Sequence, residues 1–113
     1  MSQGLSKKDK LNTASEYSTV FSKAKRSTDR LFTVLAKQTT PPNARLGLAI
    51  AKKSVKKASQ RNNIKRIVRE SFRRKKNKLF DYDFVVMCRK DAALATKQML
   101  QQSIEAHWKK LTT

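Results

Sequence analysis

The sequence predicts one α+β domain, a small sheet with helices laid against it. Three observations point there. The chain has 113 residues, of which 38% are hydrophobic, enough to fill a single core. Its apolar residues alternate between helical spacing and short strand-like runs. No repeat or low-complexity segment interrupts that order, apart from a bias towards basic residues. The expected arrangement is a two-layer α/β sandwich with a small central sheet, in the order α-β-β-β-α-β-α.

Residues 1–12, beginning MSQGLSKKDK, have no periodicity and are expected to form a mobile basic arm, leaving 13–113 as the folded domain. Thr13 and Glu16 stand three apart, as in a capping box. Tyr17, Val20, Phe21 and Ala24 then share one helical face, so a helix is expected over 14–25. RLFTVLA, from Arg30, is rich in β-branched and aromatic types and reads as a strand; TTPPN after it reads as a turn. RLGLAIA alternates Leu46, Leu48 and Ile50 with Gly47, Ala49 and Ala51. As a strand it shows large side chains on one face and an almost bare second face that invites a close neighbour. QRNNIKRIVRESFRRKKNK, from Gln60 to Lys78, reads as a helix. A third apolar run from about Phe84 to Cys88 is too short for a helix. From Thr96, the spacing of Leu100, Ile104, His107, Trp108 and Leu111 returns to helical period.

Charge is the unusual quantity. Lys and Arg number 27 against 8 Asp and Glu, a net charge of +19 that far exceeds the needs of solubility. So large an excess repels itself on folding, and a polyanionic partner is the simplest reason for it. A membrane is the weaker candidate. No apolar run approaches the roughly 18 residues that a spanning helix needs, and no export signal is apparent, so a cytoplasmic protein is expected. The single cysteine, Cys88, lies in FVVMC and reads as a buried reduced thiol.

The helix from Gln60 concentrates the charge. On a helical wheel Ile64, Ile67, Val68, Ser71, Phe72 and Leu79 gather on one side, with Asn62, Lys65, Arg66, Arg69, Arg73 and Lys76 opposite. The apolar side would dock on the sheet while the other presents a ladder of donors to phosphates. Glu70, four after Arg66 and three before Arg73, is placed to pair with both. A solvated charged face is the common reading of such runs. It fits poorly here, because 13 basic residues and one acid lie between Lys52 and Lys78, whereas solvated faces mix signs.

No constellation for protein-borne catalysis can be assembled. His107 has no second His and no nearby Cys to share a zinc ion, and its place beside Trp108 favours packing. Asp81 and Asp83 are the closest carboxylates and look like turn residues; a hydrated Mg²⁺ held there is the minor alternative. Two glycines leave no phosphate-cradling loop, and no organic cofactor is expected.

The stretch ARLGLAIAKKSVKKASQRNNIKRIVRESFR resembles the signature of the bacterial ribonuclease P protein component. AKK followed by RNNIKRIVRESF is its most specific part, and the likeness extends from SEYSTVF to EAHWKKL. The resemblance implies the protein half of a ribonucleoprotein that removes the 5′ leader of precursor tRNA, with catalysis and its Mg²⁺ in the RNA half. It implies a sandwich with a left-handed β-α-β crossover formed by the basic helix. By the same resemblance Lys52, Lys53, Arg61, Asn62, Lys65, Arg66 and Arg69 face the catalytic RNA, and Arg73 continues their ladder. Asn63 stands where the family motif usually has arginine. Tyr17 and Phe21 match aromatic positions of a cleft that holds the leader, where stacking of bases tolerates any sequence. Leu35 aligns with a position that is tyrosine in some relatives.

The alternative from another class is a structural RNA-binding protein, ribosomal or of an assembly pathway, with the same charge and no preference for leader-bearing tRNA. A self-sufficient nuclease lacks its cluster. DNA is not an expected partner, since no paired half-sites are suggested. The sequence leaves the oligomeric state open.

Overall fold

The computed structural model describes residues 24–38, 45–79 and 82–112. Four strands, β1 (Lys25–Thr28), β2 (Phe32–Gln38), β3 (Arg45–Ala49) and β4 (Tyr82–Cys88), form one sheet in the order β1-β2-β4-β3. Helix α1 (Ala58–Arg74) and the single turn α2 (Lys76–Leu79) separate β3 from β4. A 3₁₀ segment (Lys90–Leu94) and α3 (Lys97–Leu111) follow β4.

β1 and β2 are antiparallel, as are β2 and β4, whereas β3 runs parallel to β4 with Leu46 opposite Phe84 and Leu48 opposite Val86. Parallel neighbours cannot be joined by a tight turn. The basic helix α1 is therefore the body of a β-α-β crossover, as the resemblance implies.

Alternation along the strands builds the core. Phe32, Val34 and Ala36 of β2, Phe84, Val86 and Cys88 of β4, and Leu46 of β3 face the helices. They meet Ile64, Ile67, Val68 and Phe72 of α1 and Leu100, Ile104, Trp108 and Leu111 of α3, all buried at the spacing their sequence predicts. Three rings lock the layers together: Phe84 lies 4.8 Å from Trp108 and 6.0 Å from Phe72, edge to face, and Phe72 lies 5.9 Å from Trp108. The Trp108 indole N–H donates to Ser71 Oγ at 2.9 Å, so the one hydroxyl on the buried stripe of α1 has its partner.

The opposite face of the sheet is narrower. Leu35 and Val85 are buried there, with Ala24 and Met87 against them. Gly47 and Ala49 pair with Val85 and Met87, so the small residues of β3 fall on this second face. Arg45 and Asp83, partners across the parallel ladder, form a bidentate pair with Nε–Oδ1 at 2.9 Å and Nη2–Oδ2 at 2.6 Å.

Three expectations are corrected. Lys25, expected at the end of a helix, begins β1, because KRST needs to turn only Ser27 inward to pair with β2. Asp83 is no turn residue; it is a buried member of β4 whose charge is met by Arg45. The basic helix starts earlier, at Ala58, and breaks at Lys75, so Leu79 reaches the core from the separate turn α2. The remainder of the expected first helix, with Thr13, Tyr17 and Phe21, and residues 1–12, expected to form a basic arm, lie outside the described residues.

Candidate nucleic-acid interface

Helix α1 keeps its two faces apart. Asn62, Asn63, Arg66, Arg73 and Arg74 are exposed; Arg61, Lys65 and Arg69 are half-buried beside the apolar stripe, and Glu70 is half-buried too. Long basic side chains can lie their stems on apolar neighbours and keep the charged head in water. The cations repel one another along the helix, so burial of the other face must hold the helix in place.

Arg66 does not turn to Glu70. Its Nη2 donates to Asn63 Oδ1 at 3.0 Å, one turn back. The amide at the position where the family motif usually has arginine thus orients the next arginine. Arg61 is also engaged: its Nη1 donates to the carbonyls of Val55 at 3.0 Å and Lys56 at 2.7 Å. That clamp fixes the loop carrying Lys52 and Lys53, both exposed, against the first turn of α1.

The start of α1 breaks the rules of helix design. Lys57 occupies the N-cap without a side-chain hydrogen bond, and no acid lies in the first turn. Uncapped amides and the positive end of the helix dipole favour an anion, and exposed Lys56 and Lys57 immediately precede them in the chain.

A second basic site escaped the sequence. Thr28, Asp29, Arg30, Ser54, Cys88, Arg89, Lys90 and Asp91 line a recess of about 680 Å³ where the β1–β2 turn meets the end of β4. Arg30, Arg89 and Lys90 are exposed around it, and Ser54 joins it to the Lys52–Lys53 loop. Arg30 and Arg89 are far apart in sequence, and only the antiparallel pairing of Phe32 with Cys88 brings them together. Burial pushes the Cys88 thiol from 9.0 up to about 12, so it is an inert wall of the recess. A groove of about 440 Å³ beside Lys75, Lys78 and Lys109 lies at the ends of α1 and α3, where the helix dipoles account for the lysines.

Ser27, His107 and Asp29 come together as the residue types of a catalytic triad, but their geometry is that of a packed strut. His107 Nδ1 and Ser27 Oγ are 2.7 Å apart, and both side chains are buried, so the hydroxyl reaches no substrate. His107 Nε2 lies 3.2 Å from Asp29 Oδ2 yet outside hydrogen-bonding geometry, a Coulombic contact only. Burial would raise the Asp29 carboxyl; the Ser103 hydroxyl, the Phe32 and Leu31 amides and the charge of His107 outweigh it and hold it at about 2 against 3.8. Among the described residues no group of three or more His, Cys, Asp or Glu is placed to hold a metal ion.

Residues 5–112 match the family described as Ribonuclease P. The chain belongs to the ribonuclease P protein family. It is 41% identical over 109 residues to the ribonuclease P protein component of Methylococcus capsulatus, covering 96% of this chain and 85% of that one. Among solved structures, it is similar to the RNase P protein of Staphylococcus aureus, with a TM-score of 0.83 and 26% identity over 93% of this chain and 98% of that one. The RNase P protein of Thermotoga maritima gives 0.79 and 27% over 92% and 98%. As a ribonuclease P protein component, the chain is part of a ribonucleoprotein endoribonuclease that processes tRNA, and its partner is a catalytic RNA. On α1 the core takes one face and leaves the basic face exposed.

Proposed function

We propose that the exposed side of α1, with Lys52, Lys53, Arg61, Asn62, Lys65, Arg66, Arg69 and Arg73, binds the catalytic RNA, and that the protein also holds the 5′ leader of precursor tRNA. The observation that carries this reading is the ladder of cations on a helix whose other face is fully committed to the core. Phosphate contacts of this kind position a protein on RNA without reading its sequence. Tyr17 and Phe21 hold the leader by stacking, an assignment that rests on their match to the family's aromatic positions. The recess at Arg30, Arg89 and Lys90, continuous with the Lys52–Lys53 loop, extends the surface towards precursor RNA.

The chemistry belongs to the RNA subunit and its Mg²⁺. The protein supplies differential binding: leader contacts add affinity for precursor that mature tRNA cannot give, and its cations relieve phosphate repulsion, lowering the Mg²⁺ the particle requires. No helix among the described residues is long and apolar enough to cross a membrane, and the reading places the protein in the cytoplasm with its RNAs.

Cleavage of a leader-bearing precursor tRNA at low Mg²⁺ tests this, with catalytic RNA alone, protein alone and the two mixed. Only the mixture should cut at the mature 5′ end. A protein that adds nothing to the RNA would favour a purely structural RNA-binding role. Tyr17→Ala should chiefly reduce discrimination between leader-bearing and leaderless substrate, whereas Arg69→Ala should weaken assembly in a salt-sensitive way; equal loss of both functions in both variants would contradict two separate faces.

A further inference from the structure

The β1–β2 turn, residues 29–31, is tied down more heavily than a three-residue hairpin connection requires. Asp29 Oδ1 accepts from the amides of Leu31 and Phe32, both at 2.8 Å, and the Asp29 amide donates to Phe32 O at 3.0 Å. Those bonds suffice to form the turn. The second carboxylate oxygen is used differently. Oδ2 accepts from Ser103 Oγ at 2.5 Å and faces His107 Nε2 at 3.2 Å. Ser103 and His107 are one helical turn apart on α3, 74 or more residues along the chain from the turn they hold.

The same turn holds the rim of the basic recess. Arg89 N donates to Leu31 O at 2.9 Å, and Arg89 Nη1 reaches Asp29 O at 3.4 Å. Asp29 itself lines the recess among Arg30, Arg89 and Lys90. Its carboxylate would oppose an anion there, but α3 engages the oxygen that the turn does not use. The helix thus does two things at once, holding the carboxylate through Oδ2 and anchoring the backbone to which Arg89 is bonded.

We propose that Asp29 is a positioning residue for the precursor-binding recess, tethered through Oδ2 to Ser103, so that α3 sets the placement of Arg30 and Arg89 without touching RNA. This rests on the reading of the recess as part of the precursor-binding surface. Asp29→Asn separates the two functions of the side chain. The amide oxygen still accepts from Leu31 and Phe32, but the NH₂ can only donate to Ser103 Oγ, so the charge-assisted bond becomes a weaker neutral one. Ser103→Ala removes the tether altogether, from the helix side, at a position that is only half-buried.

The test is steady-state cleavage of leader-bearing precursor tRNA by the reconstituted holoenzyme, with the thermal transition of each variant recorded. Ser103→Ala should raise KM by about fivefold and Asp29→Asn by less, and the double variant should be no worse than Ser103→Ala alone. Ser103→Ala should leave kcat unchanged, and Ser103→Thr, which restores the hydroxyl, should return KM to its normal value. Two results overturn the proposal on its own: Arg89→Ala raises KM while Ser103→Ala does not, or Ser103→Ala and Asp29→Asn add independently. If Arg89→Ala also leaves KM unchanged, the recess reading fails and the positioning role falls with it. A fall in kcat that tracks a lowered melting temperature and is not rescued by Ser103→Thr would reduce the tether to a structural part.

Discussion

Helices α1 and α3 pack side by side on the same face of the same sheet, yet they obey different rules. α3 is built for stability: Thr96 caps it by accepting from the Met99 amide, Lys109 and Lys110 complement its C-terminal dipole, and its exposed side mixes glutamine, glutamate and lysine. α1 is the worse helix by local standards. Its N-cap is a lysine with no side-chain hydrogen bond and its exposed face gathers one sign of charge, whereas both helices lack an acid in the first turn and both end on basic residues. Both bury a similar apolar stripe, so packing does not explain the difference. The helix without a side-chain cap is the one that carries the basic face, which fits the RNA-binding role proposed for it.

The most severe way to break that comparison is to remove the ring both helices share. Phe72→Ala empties a fully buried site between Phe84 and Trp108 and should cost about 3–5 kcal/mol, read from denaturant unfolding. A loss near 1 kcal/mol would mean that the helices stand independently. Next, Lys57→Asp gives α1 the cap that α3 already has. Stability should rise by about 1 kcal/mol while affinity for the catalytic RNA falls, opposite signs from one substitution. Gain in both would show that the uncapped start has no functional origin.

A smaller effect separates α3 by pH. Asp29 is held at about 2 in the folded chain, below its ordinary 3.8, so its contribution is nearly full above about pH 4, shrinks as pH falls, and is lost only once pH drops below the folded value. Asp29→Asn should therefore lower stability near neutrality, and the difference should narrow steadily from about pH 4 down to pH 2. A gap that stays constant over that range would assign the loss to the altered turn instead of the charge. The smallest change in stability belongs to Arg66→Ala, within about 0.5 kcal/mol, because the side chain is exposed and bonded only to Asn63. The log–log salt slope of RNA binding should nevertheless shrink by about 0.7 to 0.9 for each phosphate that is no longer neutralised. An unaltered slope would remove Arg66 from the interface.

The elements that could be read from sequence are those whose signal is local. The stripe Ile64, Ile67, Val68, Phe72 and the run Leu100, Ile104, Trp108, Leu111 state their helices and buried faces directly. The apolar core of β4 is equally plain, although its first residues were hidden by Asp83, a carboxylate that becomes tolerable inside a strand only through Arg45 across the sheet. β1 gave no such signal, since KRST owes its strand form to pairing with β2. The basic motif of α1 named its own site. The recess did not, because Arg30 and Arg89 meet only after the sheet forms. Asp29 left one legible trace, an aspartate two residues ahead of the apolar LF pair in a turn; its tie to Ser103 exists only in three dimensions.

The parallel pairing of β3 with β4 has a kinetic consequence. Arg45 and Asp83 are 38 residues apart, and the segment between them must be closed before their ladder returns any free energy. That segment contains α1, whose like charges resist the compact geometry the crossover demands. A polyanion bound to the exposed face of α1, as proposed, would relieve that repulsion and speed closure of the crossover.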